Sequence, residues 1–60
     1  MRVQRTYTAT VTYRTGDDLR QRSAAVRASS PERAVNALFD HIRRTRRDAV
    51  LVAERSNAVL

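Results

Sequence analysis

The run RTYTATVTYRT, Arg5 to Thr15, sets polar and apolar residues on alternate positions. A period of two belongs to a strand with one buried and one open face. The pattern spans roughly Arg2 to Arg14. Odd positions supply Val3, Tyr7, Ala9, Val11 and Tyr13, while even positions supply Arg2, Gln4, Thr6, Thr8, Thr10, Thr12 and Arg14. Gly16-Asp17 follows, a pair suited to a two-residue hairpin turn that needs positive φ at its first position. A second strand is predicted from about Leu19 to Ala28.

The hairpin carries its own consistency test. With Thr15 and Asp18 flanking the turn, paired positions sum to 33, so odd residues of the first strand face even residues of the second. Tyr7 then meets Val26 and Ala9 meets Ala24, while on the other face Thr12 meets Gln21, Thr10 meets Ser23 and Thr6 meets Arg27. Turn chemistry and face assignment agree without adjustment. Arg5, Arg20 and Arg22 fall on the apolar side and are expected at its rim, with stems covered and heads in water.

ASSPERAVNALFDHIRRTRR reads as a helix with its start written out. Either Ser30 caps it with Pro31 in the first turn, or Ser29 caps it and forms a capping box with Glu32. At 100° per residue, Val35, Leu38, Phe39 and Ile42 make one stripe with Ala34 at its edge, and Arg33, Asp40 and Arg44 point away. Asp48 marks the exit. AVLVAE, Ala49 to Glu54, reads as a third strand, which RSNAVL either extends past a kink at Ser56-Asn57 or leaves as a frayed tail. A right-handed crossover of the helix over the first strand sets the third strand beside it, antiparallel. The expected fold is α+β: ββαβ over residues 1–60 as a single domain, a three-stranded antiparallel sheet of order 2-1-3 with one helix on one face.

A chain of 60 residues buries only about 60% of the surface its unfolded form exposes, so its core is thin and self-association is a live route to stability. The absence of Cys and the single His leave no disulfide framework, no thiolate site and no zinc site from side chains of this chain alone. No cofactor or metal is expected. The N-terminus opens into the alternating pattern without the apolar core of about 7 to 15 residues that marks a signal peptide. The expected location is the cytoplasm, and no membrane partner is expected.

Net charge is +6, and all twelve basic residues are Arg. Arg-only basicity accompanies GC-rich coding, and it also supplies the guanidinium fork that grips phosphates and carboxylates bidentately. On either account acidic partners are favoured. Arg43, Arg44, Arg46 and Arg47 crowd the end of the helix. Cations there complement the helix dipole, but four exceed what capping requires, and they make a candidate footprint for nucleic acid or an acidic protein or ribonucleoprotein surface. Arg2, Arg14 and Arg27 are expected to assist.

Thr6, Thr8, Thr10, Thr12, Gln21 and Ser23 form the open sheet face. Thr suits an exposed strand for backbone reasons alone, and its hydroxyl can also contact phosphate oxygens. All three aromatics, Tyr7, Tyr13 and Phe39, turn inward by parity, so no platform for stacking unpaired bases is expected. His41 falls on the helix flank with no triad partner at readable spacing, and an enzyme is not expected. The last strand is apolar on both faces and lies at a sheet edge. An edge of that kind invites pairing, so a homodimer through Ala49 to Ala53 is a further expectation.

The junction VRASSPERAVNAL, a strand running into a Ser-capped helix with Ala at every third or fourth position, resembles the strand-helix step of the archaeal ribosomal protein LX family. That family is rich in lysine and has a basic stretch after its helix, where this chain has RRTRRD with Arg only. The order of elements is also similar to several very small phage proteins, including anti-CRISPR proteins of class 1 systems. The likeness rests on capping and packing, and it brings no reactive residue. It implies a compact inhibitor, acting in the host cytoplasm if phage-encoded, that occupies a nucleic-acid-processing complex through the same arginines. Direct contact with nucleic-acid phosphates is the competing expectation. A third is a small structural subunit that docks by its last strand.

Overall fold

Gly16 has φ +61°, and no other described residue has positive φ. This is the sign pattern of a type II′ turn, with glycine first, whose twist matches that of the strands it joins. In the computed structural model, which describes residues 3–59, the turn connects β1 (Arg5–Thr15) to β2 (Asp18–Ala28). Helix α1 (Pro31–Thr45) and strand β3 (Val50–Ala58) follow. The sheet is antiparallel with order β2-β1-β3, and α1 packs on one face.

The β1–β2 register runs from Arg5 opposite Ala28 to Thr15 opposite Asp18, with Tyr7 opposite Val26 and Thr10 opposite Ser23. The pairing expected from the turn is therefore the pairing found. Along β1, Tyr7, Ala9, Val11 and Tyr13 are buried, while Thr6 and Thr8 are exposed and Thr10 and Thr12 half-exposed.

Ser30 caps α1: it has extended backbone, and its Oγ accepts from the Arg33 N–H at 3.2 Å. Pro31 occupies the first turn, where a missing N–H costs nothing. The helix buries Ala34, Val35, Leu38 and Ile42. Ala34 is fully buried, whereas Phe39 is only half-buried at the flank, which rotates the apolar stripe from the one the sequence suggests. A small residue at the centre line lets the helix approach a sheet that itself presents Ala9 and Ala24. The helix ends at Thr45, two residues short of the sequence reading. Arg46 is its C-cap, donating from its N–H to the Ile42 carbonyl at 2.9 Å, and Ala49 N–H bonds back to the Arg46 carbonyl at 3.1 Å.

β3 continues past Glu54 and reaches Ala58, the extended one of the two alternatives, with no fraying at Ser56-Asn57. Opposite β1, Thr12 pairs with Ala53 but Tyr13 pairs with Leu51, so Val52 is an extra residue and the strand is bulged there. The core comprises Tyr7, Ala9, Val11, Tyr13, Ala28, Ala34, Val35, Leu38, Ile42 and Ala49. Four of the ten are alanine, so a few large side chains carry most of the burial. At about 1.5–3 kcal/mol for each fully buried aliphatic or aromatic side chain, Ile42 and Val11 are central to stability.

Candidate functional site

The two basic regions named by the sequence lie on opposite faces of the sheet. Arg14 and Arg27 alternate with the buried Tyr13 and the half-buried Val26 and so point to the open face. Arg43 and Arg44 belong to the helix on the other side, and Arg47 borders the same depression as both. Arg14 and Arg27 therefore stand on the face opposite the helix-end arginines that they were expected to assist. Arg2 lies outside the described residues.

At the helix end, Arg43, Arg44 and Arg47 converge with Asp40 on a depression of about 330 Å³. Arg44 pairs with Asp40 at 3.3 Å across one helical turn, an exposed pair of little energetic weight. The Arg43 guanidinium lies 5.9 Å from the centre of the Phe39 ring, near the outer limit of a cation–π contact. Phe39 thus holds the Arg43 head close to the helix. Arg43 and Arg47 have no ion-pair partner among the described residues. Arg46, fixed by its backbone as the cap, does not border this depression. The cluster presents three guanidiniums against one carboxylate.

The open face is built in cross-strand rows. Leu19, Arg14 and Val50 form one row; Gln21, Thr12 and Ala53 the next; then Ser23, Thr10 and Arg55; then Ala25, Thr8 and Asn57; and Arg27 lies opposite Thr6. Thr10 Oγ1 and Ser23 Oγ are 2.9 Å apart and hydrogen-bonded. Arg55 and Asn57 join this face only because β3 continues past Glu54, so the sequence reading missed both. Along the strands Arg27, Arg55 and Arg14 stand about 13 Å apart, with short uncharged side chains between them. Thr10, Thr12, Gln21, Ala53, Glu54 and Arg55 border a shallow hollow of about 250 Å³.

No protein-family model, curated protein or solved structure matches the chain.

Among the described residues, no polar or charged side chain is fully buried, and no group of three or more His, Cys, Asp or Glu could hold a metal ion. His41 is exposed. Ser56 Oγ is buried without a hydrogen-bond partner among the described residues, and Ser56 borders a hollow of about 160 Å³ beside Pro31, Glu32 and Val35. No helix among the described residues is long and apolar enough to cross a membrane. Arg5, Arg20 and Arg22 lie exposed at the rim of the helix side, and Arg20 approaches Asp18 at 3.8 Å.

Proposed function

We propose that this chain is a non-catalytic binding protein that contacts nucleic-acid phosphates through Arg43, Arg44 and Arg47, with little sequence preference. The observation that carries this reading is the convergence of these three guanidiniums on one depression, offset only by Asp40. Guanidinium forks match phosphate oxygens bidentately. No exposed aromatic ring adjoins the cluster to read a base, because Tyr7 and Tyr13 are buried on the sheet and Phe39 lies under Arg43. Affinity would come from charge, with little contribution from base contacts. Arg46 adds to the local field without bordering the depression.

The test is binding of fluorescent duplex DNA and RNA at two salt concentrations. Three neutralised phosphates predict that Kd on duplex DNA rises about 40-fold between about 50 and 200 mM salt. Replacing Arg43, Arg44 and Arg47 with Gln abolishes the binding and its salt dependence, while Arg14, Arg27 and Arg55 replaced by Gln leave both unchanged. Retained affinity in the helix-end variant would overturn the proposal.

The open face supports a second reading, in which the chain docks on the protein surface of a nucleic-acid-processing complex. Its arginines stand far apart, one to a row, and short polar side chains lie between them, with Thr8, Thr10, Ser23 and Asn57 in adjacent rows. Such a surface suits a protein better than a run of closely spaced phosphates. Under this reading free nucleic acid binds weakly, and the Gln substitutions at Arg14, Arg27 and Arg55 abolish recovery of one defined host complex.

A further inference from the structure

The two outer edges of the sheet are guarded differently. β2 carries Arg20 and Arg22 on its helix-facing side, opposite Tyr13 and Val11, and inward-pointing charges of this kind discourage pairing with another strand. β3 carries one such charge, Glu54 opposite Val11, but it begins with three consecutive exposed apolar residues, Val50 (55%), Leu51 (37%) and Val52 (51%). Its outer backbone is also available. Val59 N–H donates to the Thr6 carbonyl at 2.9 Å, and the antiparallel alternation then turns the backbone groups of Glu54, Ser56 and Ala58 away from β1.

Charge is ordered along the helix side of this edge. Glu32 and Glu54 border one hollow at the helix N-terminal end, and Arg43 and Arg47 border another at the C-terminal end. Eleven residues separate Glu32 from Arg43, which is close to three full turns, so both lie on the same flank of α1. They stand about 16 Å apart along the axis, a span of about five residues of β3. Glu32 lies level with Glu54, Arg55 and Ser56, so the midpoint between the two charges is level with Val52 and Ala53.

A two-fold axis through that point, perpendicular to the sheet, does two things at once. It brings the Leu51–Ala53 stretch of β3 antiparallel against its own copy, with Val50 reaching the partner's strand near Glu54 and Arg55, and it sets Glu32 of each chain opposite Arg43 of the other. We propose that the chain forms a homodimer through β3, giving a continuous six-stranded sheet with both helices on one face. The bulge at Val52 shortens the backbone ladder at the seam, so the side chains of Val50, Leu51 and Val52 supply much of the contact. The seam engages Arg43, which the proposed phosphate site also uses, and asks nothing of Arg44. It also addresses the thin core, because association that favours the folded state raises its stability by mass action.

Sedimentation at micromolar concentrations tests it, with twice the 6.8 kDa chain mass expected. Val52→Lys sediments as a monomer, whereas Ala25→Lys on the exposed part of β2 leaves the dimer intact; far-UV circular dichroism confirms that each variant is folded. Glu32→Arg and Arg43→Glu each weaken self-association at least tenfold. Mixed in equal amounts, these two variants restore it, since both cross-dimer pairs are then opposite in charge. A monomeric wild-type chain, or a mixture that associates no better than either variant alone, overturns the proposal.

Discussion

Adjacent residues of β1 live under different rules. Val11 is completely shielded and Tyr13 nearly so, while Thr8 between Tyr7 and Ala9 faces solvent. The backbone is the same ladder on both sides, bonded to β2 and β3. The difference lies in what covers each face: α1 closes one, and nothing among the described residues closes the other. In a domain this small, one face holds nearly all of the stability and the other is left free to be used. The comparison can be broken by substitutions that hurt the wrong side.

The largest effect is expected from Ile42→Ala, which empties the helix contribution directly over the sheet. A cost of about 2–5 kcal/mol is large against the margin of so short a chain. At about 4–8 °C per kcal/mol for a domain of this size, thermal denaturation followed by circular dichroism should show a loss of about 8 °C or more. Thr8→Ala, on the opposite face, should stay within about 0.5 kcal/mol of wild type. Equal losses for the two would mean that the faces are not divided as described.

Gly16→Ala ranks next, because the turn sets the register and the register decides which residues face the helix. A Cβ added at Gly16 meets no heavy atom within 4 Å, so the cost is conformational and comes from the positive φ alone. A loss of about 1 kcal/mol or more is expected, read from the denaturant midpoint at unchanged slope. Ser30→Ala should cost about 1 kcal/mol through loss of the cap on Arg33 N–H, and Ser30→Asp should retain it. No loss in Ser30→Ala would mean that the cap bond adds nothing to the seating of the helix.

Most of this division was legible before the structure. The alternation from Tyr7 to Tyr13, the glycine at the first turn position and the Ser-Pro helix start are each local signals, and they agree with one another. β3 was not legible in the same way. Ala49 to Ala53 has no alternation from which to read a face, and the bulge at Val52 puts Leu51 and Glu54 on the same side, a spacing of three that a period of two cannot produce. Arg55 and Asn57 were therefore invisible as members of the open face. The helix stripe was misplaced for a related reason: hydrophobicity weights Phe39 heavily and Ala34 lightly, but close approach to the sheet selects the small side chain. The separation of the two arginine sets follows from the parity of Arg14 and Arg27, whereas the grouping of Arg47 with Arg43 and Arg44 around one depression depends on how the chain leaves the helix.

The smallest expected change is the one that sharpens the functional comparison. Thr10→Val keeps the β-branch and shape while removing the hydroxyl bonded to Ser23 at 2.9 Å. That bond is exposed, and water replaces it, so stability should shift by less than about 0.5 kcal/mol. Binding of duplex DNA should also be unchanged, because Thr10 lies across the sheet from Arg43, Arg44 and Arg47. The two measurements together give the substitution its value. A folded Thr10→Val chain that loses affinity for nucleic acid moves the site from the helix end to the open sheet face, where Arg55 stands directly opposite the altered residue. A chain that keeps its affinity leaves the hydroxyl row with the role its backbone preference explains, that of a strand surface suited to water.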